Sequence, residues 1–424
     1  MTLTREEAIA LDAADPLAVH RQAFALAPGL IYLDGNSLGA LPRATSARVR
    51  EVVEREWGEG LIRSWNDAHW TESPRRVGAK IARLIGARAD EVICADSTSV
   101  NLFKVLATAL TLVAARPQVS TQARLVILSE RGNFPTDLYI AQALAQLHGG
   151  AYELRLVEFE DVEQAIDPTV AIVMLTHVNY RTGAMHDLPA LTARARATGA
   201  LTIWDLAHSA GAVPVDLSAA GADFAVGCGY KYLNGGPGAP AFLYVAQRHL
   251  AATADERFAQ PLAGWFGHRA PFTFDPDYAP APSIDRYAVG TPPILGLAAL
   301  DSGVDTVLAA GVEALRAKSV ALTETFIANA EAGSGDAIAL VSPRTAAQRG
   351  SQVCFAHPQA YAVMQALIEQ GVIGDFRAPD VLRFGFAPLY VRHVDAVDAA
   401  TVLAEVLQSE RWREQRFQQR GKVT

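Results

Sequence analysis

The stretch TIWDLAHSAGAVPVDLSAAGADFAVGCGYKYLNGGPG, residues 202–238, determines the fold expected for this chain. It spans two apolar runs of strand length, Leu201–Trp204 and Phe224–Cys228, and it ends on a glycine-rich turn at 235–238. Continuous apolar runs bounded by turn residues are typical of strands that are buried on both faces of a parallel sheet. The stretch therefore predicts two buried strands of an α/β fold.

Each of these strands ends on polar side chains that can carry chemistry. Asp205 directly follows the first run, with His208 shortly after it, and Tyr230 and Lys231 follow the second run. Ligands of open parallel sheets bind outside the carboxyl ends of the strands. We therefore expect these four side chains to meet in one crevice.

The four residue types together point to pyridoxal phosphate. A buried carboxylate such as Asp205 can pair with a protonated pyridine nitrogen, and a lysine that faces a cleft can form a Schiff base. Taken singly, each residue has another explanation: Asp205 as the cap of a helix that begins at Ala207, His208 as an interior histidine, and Lys231 as a surface charge. Their joint placement at two strand ends favours the cofactor site.

The composition sets limits on the class of protein. The 424 residues are 50% hydrophobic, enough for two lobes, and 37 basic against 45 acidic residues give a net charge of -8, which argues against a nucleic-acid partner. No apolar core of a signal peptide and no run long enough to span a membrane is present, so we predict a cytoplasmic protein without a membrane partner. Three scattered cysteines argue against disulfides and against a metal site. They are Cys94, Cys228 and Cys354.

Apolar runs of strand length alternate with helix-patterned stretches in the first part of the chain, which predicts a mostly parallel sheet covered on both faces. From Ile294 to Glu331, an Ala-rich stretch interrupted only by Gly303 and Gly311 predicts two long helices. Short strands follow, and they indicate a smaller α+β lobe. The predicted strands are Val92–Ala95, Arg124–Leu128, Leu154–Phe159, Val170–Leu175, Leu201–Trp204, Phe224–Gly227, Phe242–Val245, Ser351–Ala356 and Val381–Phe386, and the predicted helices of the first part are Asn101–Leu112, Leu138–Leu147 and Pro189–Thr198.

Three further segments follow predicted strands and would border the same crevice. Ser97–Ser99 precede a helix expected from about Asn101, so hydroxyls and free backbone N–H groups gather where a phosphate can bind, although simple helix capping explains them as well. Phe134 offers an aromatic face to a pyridine ring, with the Asp137 carboxylate nearby. Thr176 follows another strand, and its hydroxyl can hold the phenolate oxygen of the cofactor.

Segments along nearly the whole chain resemble those of the kynureninases, pyridoxal-phosphate enzymes of the aspartate-aminotransferase fold type (fold type I, class V aminotransferase-like). DLAH and YKYLN are common to the wider class, whereas GNSLG, GWFGH and LRFGFAPLY narrow the resemblance to kynureninase. The matching segments are YLDGNSLG (32–39), STSVNLFKVL (97–106), FPTD (134–137), DLAHSAG (205–211), GYKYLNGGPG (229–238), GWFGH (264–268), GTPPI (290–294) and LRFGFAPLY (382–390).

This resemblance implies a three-part organisation of the α/β chain. Residues 1–45 would form an N-terminal segment that packs on the small domain. Residues 46–290 would form the large cofactor-binding domain, built on a mostly parallel seven-stranded sheet. Residues 291–424 would form the small C-terminal α+β domain.

The resemblance also implies a role for each site residue. Lys231 would form the Schiff base, Asp205 would pair with the ring nitrogen, and Phe134 would stack on the ring. Thr176 would bind the phenolate oxygen. The cofactor site would be completed, mainly around the phosphate, by Thr98, Ser99, Asp137, His208 and Tyr230. Two residues would reach it from the neighbouring subunit of a homodimer: Trp265 and Thr291. The substrate would be bound at its carboxylate by Arg383 and at its aryl side by Ser37, Trp65 and His69.

The implied reaction is the hydrolysis of L-kynurenine, a small-molecule substrate, to anthranilate and L-alanine, in tryptophan catabolism or NAD biosynthesis. Lys231 would move the α proton, and Tyr230 would be a proton relay, a phosphate ligand or both. Family members that favour 3-hydroxykynurenine tend to carry Asn at the position of Thr291, which indicates plain kynurenine here.

Three alternatives use the same kind of site. A cysteine desulfurase would need a reactive cysteine, and the one candidate, Cys354, lies in a strand-like alternation without a neighbouring cation. An aminotransferase would need a keto-acid acceptor. A non-catalytic sensor would bind pyridoxal phosphate without turning over a substrate.

Overall fold

The computed structural model describes residues 2–115 and 124–421, and its centre is a seven-stranded sheet. The strand order in this sheet is β2-β8-β7-β6-β5-β3-β4. All neighbours are parallel except those of β8, which runs antiparallel to both β2 and β7. The strands of the described residues are β1 Ile31–Tyr32, β2 Val92–Cys94, β3 Val126–Glu130, β4 Glu153–Val157, β5 Val170–Thr176, β6 Leu201–Asp205, β7 Phe224–Gly227, β8 Phe242–Val245, β9 Ala339–Leu340, β10 Gln352–Ala356, β11 Val372–Ile373, β12 Asp375–Arg377 and β13 Val381–Gly385.

Helices cover this sheet on both faces, as the alternation of strand and helix patterns predicts. All seven residues of β5 are buried, and its apolar side chains divide between two different cores. One core includes α5 and α6, and the other includes α4, α8 and α11. The helices are α1 Arg5–Ala14, α2 Arg43–Glu51, α3 Ser64–Asp67, α4 Ser73–Leu84, α5 Thr98–Ala115, α6 Pro135–Leu147, α7 Val162–Ala165, α8 Leu188–Thr198, α9 Leu217–Ala220, α10 Gln247–Ala252, α11 Ile294–Ala310, α12 Val312–Ser334, α13 Ala360–Glu369, α14 His393–Gln408 and α15 Gln415–Gln418, with a π-helical stretch at Val52–Gly60.

The sequence predicted no run long enough to span a membrane, but one helix in the described parts of the chain, α5, is long and apolar enough to do so by length and composition. It packs against the large sheet, with 56% of its residues buried inside the protein. The bent pair of α11 and α12 passes the same test only when both are counted as one span.

The second lobe is built on a four-stranded antiparallel sheet of order β12-β13-β10-β9, flanked by α12, α13 and α14. The N-terminal segment lies on this lobe. Strand β1 pairs in parallel with β11, α1 packs on α14, and Asp15 forms an ion pair of 2.7 Å with Lys318 of α12. The exact domain boundaries at 45/46 and 290/291 stay a prediction.

Two local expectations differ from the structure. No helix begins at Ala207: Asp205 Oδ1 instead accepts a hydrogen bond of 2.7 Å from the Ala207 N–H and closes a turn. Helix α5 begins at Thr98, earlier than the apolar spacing from Asn101 suggested, because its first turn carries hydroxyls that do not belong to the apolar pattern.

Of the two glycines in the predicted helical stretch, only Gly311 breaks the helix. Gly303 lies inside α11, and a Cβ placed on it would come within 2.4 Å of the Leu233 carbonyl oxygen and 2.6 Å of the Asn234 backbone. Gly303 therefore lets α11 approach the backbone of the loop that follows Lys231.

We expect Gly303→Ala to lower the free energy of unfolding by roughly 1–3 kcal/mol, although alanine gains ~1 kcal/mol of helix propensity, because the methyl group overpacks against this loop. Urea denaturation measures the difference. The control is Ser302→Ala in the same helix, whose side chain only bonds the Ala298 carbonyl and whose loss should be nearly neutral. Equal stability of Gly303→Ala and wild type would contradict the packing account.

Candidate active site

A cavity of about 560 Å³ lies at the carboxyl edge of the large sheet. Its walls bring together ten of the residues that the sequence singled out, together with Tyr180, Cys228 and residues 238–241 of the following loop. The ten predicted residues are Thr98, Ser99, Phe134, Asp137, Thr176, Asp205, His208, Tyr230, Lys231 and Thr291.

These side chains converge because three neighbouring parallel strands end together. Thr176 is the last residue of β5 and is paired in register with Asp205, the last residue of β6. Strand β7 lies beside β6 and leads into the turn that carries Tyr230 and Lys231. The N-terminal turns of α5 and α6 add their hydroxyl and aromatic side chains from the same edge.

The lysine is held by both lobes. Its Nζ lies 2.9 Å from His208 Nε2. The Asn234 N–H donates back to the Lys231 carbonyl over 2.9 Å, so the loop turns immediately after the lysine. On the other side, the Gly39 N–H donates to the Tyr230 carbonyl over 2.8 Å, and a Cβ at Gly39 would lie 2.4 Å from the Lys231 oxygen. The GNSLG segment thus needs its final glycine to approach this backbone.

Two buried carboxyl groups lie against each other near the lysine. Burial raises the pKa of Asp205, and burial together with the neighbouring Asp205 raises the pKa of Asp137 well above its usual range. Adjacent carboxylates in such a site cannot both ionise readily, so the pair tends to retain a proton. Asp137 therefore lies beside the residue expected at the ring nitrogen, whereas the resemblance placed it mainly near the phosphate.

The wall between these groups is formed by Thr176 and by two aromatic rings. The Thr176 hydroxyl donates to Asn133 Oδ1 and lies 3.5 Å from Asp137 Oδ2. The ring of Phe134 is 43% exposed and stands edge-on to Tyr180, with a centroid separation of 5.3 Å. One aromatic face is therefore available to a ligand in the cavity.

Hydroxyl side chains at the N-terminus of α5 also line the cavity. Ser97 Oγ accepts a long hydrogen bond of 3.4 Å from the Val100 N–H, so it serves in part as the cap that the alternative explanation required. Thr98 and Ser99 both line the cavity. Burial raises the pKa of the nearby Tyr230 hydroxyl, which keeps it protonated as a hydrogen-bond donor at neutral pH.

Arg383 and Ser37 do not line this cavity; they lie beside it in a network of their own. Arg383 is 1% exposed and binds Asp375 through Nε over 2.7 Å and again through Nη2. It also donates to the Tyr180 carbonyl over 2.6 Å and to Ser37 Oγ over 2.6 Å. Arg377 reaches the same Asp375 at 2.7 Å. A carboxylate ligand would therefore have to compete with these partners.

Trp65, His69 and Trp265 also lie outside the cavity of their own chain. Trp265 packs edge-on against Phe266, which in turn lies 6.3 Å from the Trp65 ring. The side chain of His69 is 72% exposed. We refer to a set of five residues as the aromatic surface cluster: Trp65, Trp265, Phe266, Phe272 and Phe274.

Sequence reasoning missed two residues that join the lobes at the site. Tyr180 follows β5 in the segment after Thr176, and its ring and carbonyl both contact predicted site residues. Gln352 opens β10 and bonds His208 Nδ1 through Oε1 over 3.1 Å. The sequence signal that could have identified Gln352 is its position as a polar residue at the start of an otherwise apolar strand.

Comparison with known proteins settles the family. A kynureninase from Burkholderia mallei (strain SAVP1) is 55% identical over 423 residues, which are 99% of this chain and 100% of that protein. A family model described as the kynureninase C-terminal domain matches residues 315–403. The chain belongs to the kynureninase family. The matched residues run from α12 to α14 and include both Gln352 and Arg383.

Solved structures share the fold of this kynureninase-family chain. The apo structure of a cysteine desulfurase from Thermococcus onnurineus NA1 superposes with a TM-score of 0.75 at 20% identity, covering 96% of this chain and 100% of the other. A structure of C-DES with glycine covalently linked to its PLP cofactor gives 0.74 at 17% identity, covering 90% and 98%. The predicted seven-stranded α/β fold is confirmed.

Asp34 belongs to the network of Asp375, Arg383 and Arg377 beside the cavity, and it should make the stability of the protein depend on pH. Burial, and then the neighbouring Asp375, raise the pKa of Asp34 to about 7. Between the ordinary carboxyl pKa and this value the folded protein holds a proton that the unfolded chain has lost, so this group lowers stability as the pH rises. We expect Asp34→Asn to gain roughly 1–3 kcal/mol in unfolding free energy relative to wild type between pH 5 and pH 8.

Denaturant titrations of both proteins at the two pH values provide the measurement. The matched control is Asp255→Asn, which replaces an exposed carboxylate and should show no gain. A gain that is independent of pH would contradict the assignment.

Proposed function

We propose that this protein hydrolyses L-kynurenine to anthranilate and L-alanine with pyridoxal phosphate as its cofactor. The observation that carries the proposal is the convergence of Lys231, the Asp205/Asp137 pair and the hydroxyls of α5 in one cavity, in a chain of the kynureninase family. The relative in Burkholderia mallei is itself named a kynureninase.

The residues of the cavity fit this cofactor. A buried carboxyl pair whose pKa values are raised by burial, even with Lys231 nearby, suits a protonated ring nitrogen, and on this basis we assign Asp205, supported by Asp137, to that end. Phe134 would stack on the ring, and the Thr176 hydroxyl would face the phenolate oxygen. The hydroxyls of Thr98, Ser99 and Tyr230 would hold the phosphate at the N-terminus of α5.

When bound, pyridoxal phosphate supplies an electron sink for the carbanion chemistry of the substrate. Lys231 Nζ would take the proton from the substrate α carbon. Water would add to the γ carbonyl, and cleavage of the bond between the β and γ carbons would leave the γ carbon as the carboxyl group of anthranilate, while the β carbon would take up a proton to become the methyl group of alanine. Tyr230, kept protonated by burial, is positioned to donate a proton in these later steps.

Arg383 is proposed to bind the substrate carboxylate. Two N–H groups on one guanidinium can hold a carboxylate in a bidentate pair. Ser37 donates to Asp375 over 2.8 Å and accepts from Arg383, so it fixes the guanidinium at this place. Trp65 and His69 are proposed for the aryl side of the substrate. Plain kynurenine is the proposed preference because Thr291, which lines the cavity, stands where family members that favour 3-hydroxykynurenine tend to carry Asn.

We infer that the active unit is a homodimer. Phe272 and Phe274 of the aromatic surface cluster are 56% and 74% exposed, and Leu61 and Ile62, which shortly precede Trp65 in the chain, are 60% and 77% exposed. Large exposed apolar side chains in one region mark interaction sites. Trp265 would then reach the cavity of the neighbouring subunit. Thr291 lines the cavity of its own chain, whereas the resemblance implied that it reaches the cavity of the neighbouring subunit. A cytoplasmic location is likewise proposed.

The desulfurase alternative lacks a reactive thiol. Cys354 is fully buried in β10 and is paired in register with Arg383, so the expectation that it has no neighbouring cation is wrong. Burial outweighs that positive charge and raises the pKa of the thiol to about 12, so it stays protonated at neutral pH. The likeness to cysteine desulfurases at 20% identity extends to the fold alone. No contact in the described residues favours the aminotransferase or sensor alternatives.

The direct test is to incubate purified protein with pyridoxal phosphate and L-kynurenine and to measure anthranilate by its fluorescence and alanine by amino-acid analysis. Equimolar release of both products is expected. Absence of both products from protein that binds the cofactor would overturn the proposed reaction, and L-cysteine and keto acids would be the next substrates tested.

We expect Lys231→Ala to lower turnover by at least ~10³-fold. The substitution removes the amine that would bind the aldehyde carbon of pyridoxal phosphate and move the α proton of the substrate. The matched variant is Lys231→Arg, which keeps the positive charge near His208 and Asp205 but cannot form a Schiff base. It should be equally inactive. Steady-state anthranilate release measures both variants, and near-normal turnover by either one would contradict the role of Lys231.

Arg383→Lys should raise the KM for L-kynurenine on the order of 10- to 100-fold with a smaller change in kcat, because a point charge replaces the bidentate contact. The control is Arg377→Lys, since Arg377 also binds Asp375 but is assigned no substrate contact. A larger effect on KM from Arg377→Lys would move the carboxylate site to that residue.

A further inference from the structure

We propose that Gln352 is a positioning residue that fixes the tautomer of His208, with the proton on Nδ1 and the lone pair of Nε2 facing Lys231. The catalytic effect of this inference rests on the proposed function, in which Lys231 is the reacting lysine. The tautomer itself is inferred from hydrogen bonds between the two lobes.

The orientation of the Gln352 amide is set by two backbone carbonyls. Its Nε2 lies 3.1 Å from the carbonyl oxygen of Asn179 and 3.1 Å from that of Tyr180. Carbonyl oxygens only accept hydrogen bonds, so both N–H groups of the amide are used and the nitrogen has to lie on that side. Gln352 Oε1 is therefore the atom directed at His208.

The amide oxygen in turn selects the proton position on the imidazole. His208 Nδ1 lies 3.1 Å from Gln352 Oε1, which also accepts a long hydrogen bond of 3.4 Å from Asn36 Nδ2. An amide oxygen cannot donate, so Nδ1 has to carry a hydrogen. Burial, with the positive charges of Lys231, Arg383 and Arg377, lowers the pKa of His208 well below its usual range.

A neutral imidazole carries a single N–H, so Nε2 is left as an acceptor. This is the atom that lies 2.9 Å from Lys231 Nζ. Lys231 Nζ thus donates a hydrogen bond to His208 Nε2, and His208 has no N–H directed at the lysine. In the opposite tautomer, the N–H on His208 Nε2 would point at the N–H groups of Lys231. The lone pair of His208 Nδ1 would then face the lone pairs of Gln352 Oε1, which is repulsive.

The fixing contact comes from the other lobe. Gln352 begins β10 of the small sheet, whereas His208 and Lys231 belong to loops of the large sheet. The Tyr180 carbonyl receives hydrogen bonds from both Gln352 and Arg383. The proposed carboxylate-binding arginine and the lysine are therefore linked through one carbonyl, one amide and one imidazole.

The test is ¹⁵N NMR of ¹⁵N-histidine-labelled full-length protein, with and without pyridoxal phosphate, with the His208 signals assigned by their loss in His208→Gln. Wild type is expected to show a protonated Nδ1 and an unprotonated Nε2. Gln352→Leu should lose this tautomer preference, and Gln352→Glu should convert His208 to an imidazolium because a carboxylate faces Nδ1. We expect kcat to fall on the order of 10- to 100-fold in both variants, with less change in KM.

The matched control is Ser342→Ala. The Ser342 hydroxyl also joins the lobes, donating to the Thr182 carbonyl over 2.6 Å, but it does not contact His208. It should keep the wild-type tautomer and kcat. Protonated Nε2 in wild-type protein would overturn the proposal without any variant, even if anthranilate is released normally. An unchanged tautomer in Gln352→Leu would also overturn it, whereas a fixed tautomer without turnover would count against the proposed reaction alone.

Discussion

The hydrogen bond between Lys231 and His208 joins the two strand ends on which the site is built. His208 follows β6 and Lys231 follows β7, and the two strands are parallel neighbours in the large sheet. Because both strands are buried on both faces, their ends cannot shift without disturbing two cores at once. The rigid sheet therefore fixes where the amine lies, and the loops supply the chemistry around it.

The second lobe, its N-terminal segment and helix α11 complete this arrangement at short range. The N-terminal segment places Gly39 against the backbone of Tyr230 and Lys231, and α11 places Gly303 against the residues that follow. Gln352 reaches His208 from the small sheet. Each of these contacts depends on a missing side chain or on a single amide, so small changes at these three positions are expected to disturb the lysine.

Much of this could be predicted from the sequence because the strands of the large sheet are continuous apolar runs. Strand β8 was predicted with its observed bounds, and β7 likewise, while the bounds of the other large-sheet strands shifted by one or two residues. The cofactor-site residues that follow strands were found because the strand end fixes their position. The strand pattern also predicted β10, where Gln352 lies.

Contacts between lobes could not be predicted in the same way. Nothing in the local pattern around Gln352 or Tyr180 indicates that they meet across the two sheets, because such pairs are set by tertiary packing. The same reason explains Arg383: the family resemblance implied that it binds a carboxylate ligand, but its internal partner Asp375, eight residues earlier, became evident only in the folded chain.

The central claim is that Lys231 is the residue that binds pyridoxal phosphate. The most direct measurement is to reduce the protein with borohydride after adding the cofactor, digest it and identify the modified peptide by mass spectrometry. The account predicts a phosphopyridoxyl group on Lys231 in wild type and its absence from the same peptide in Lys231→Arg. Modification of another lysine with Lys231 unmodified, or no modification at all, would contradict it.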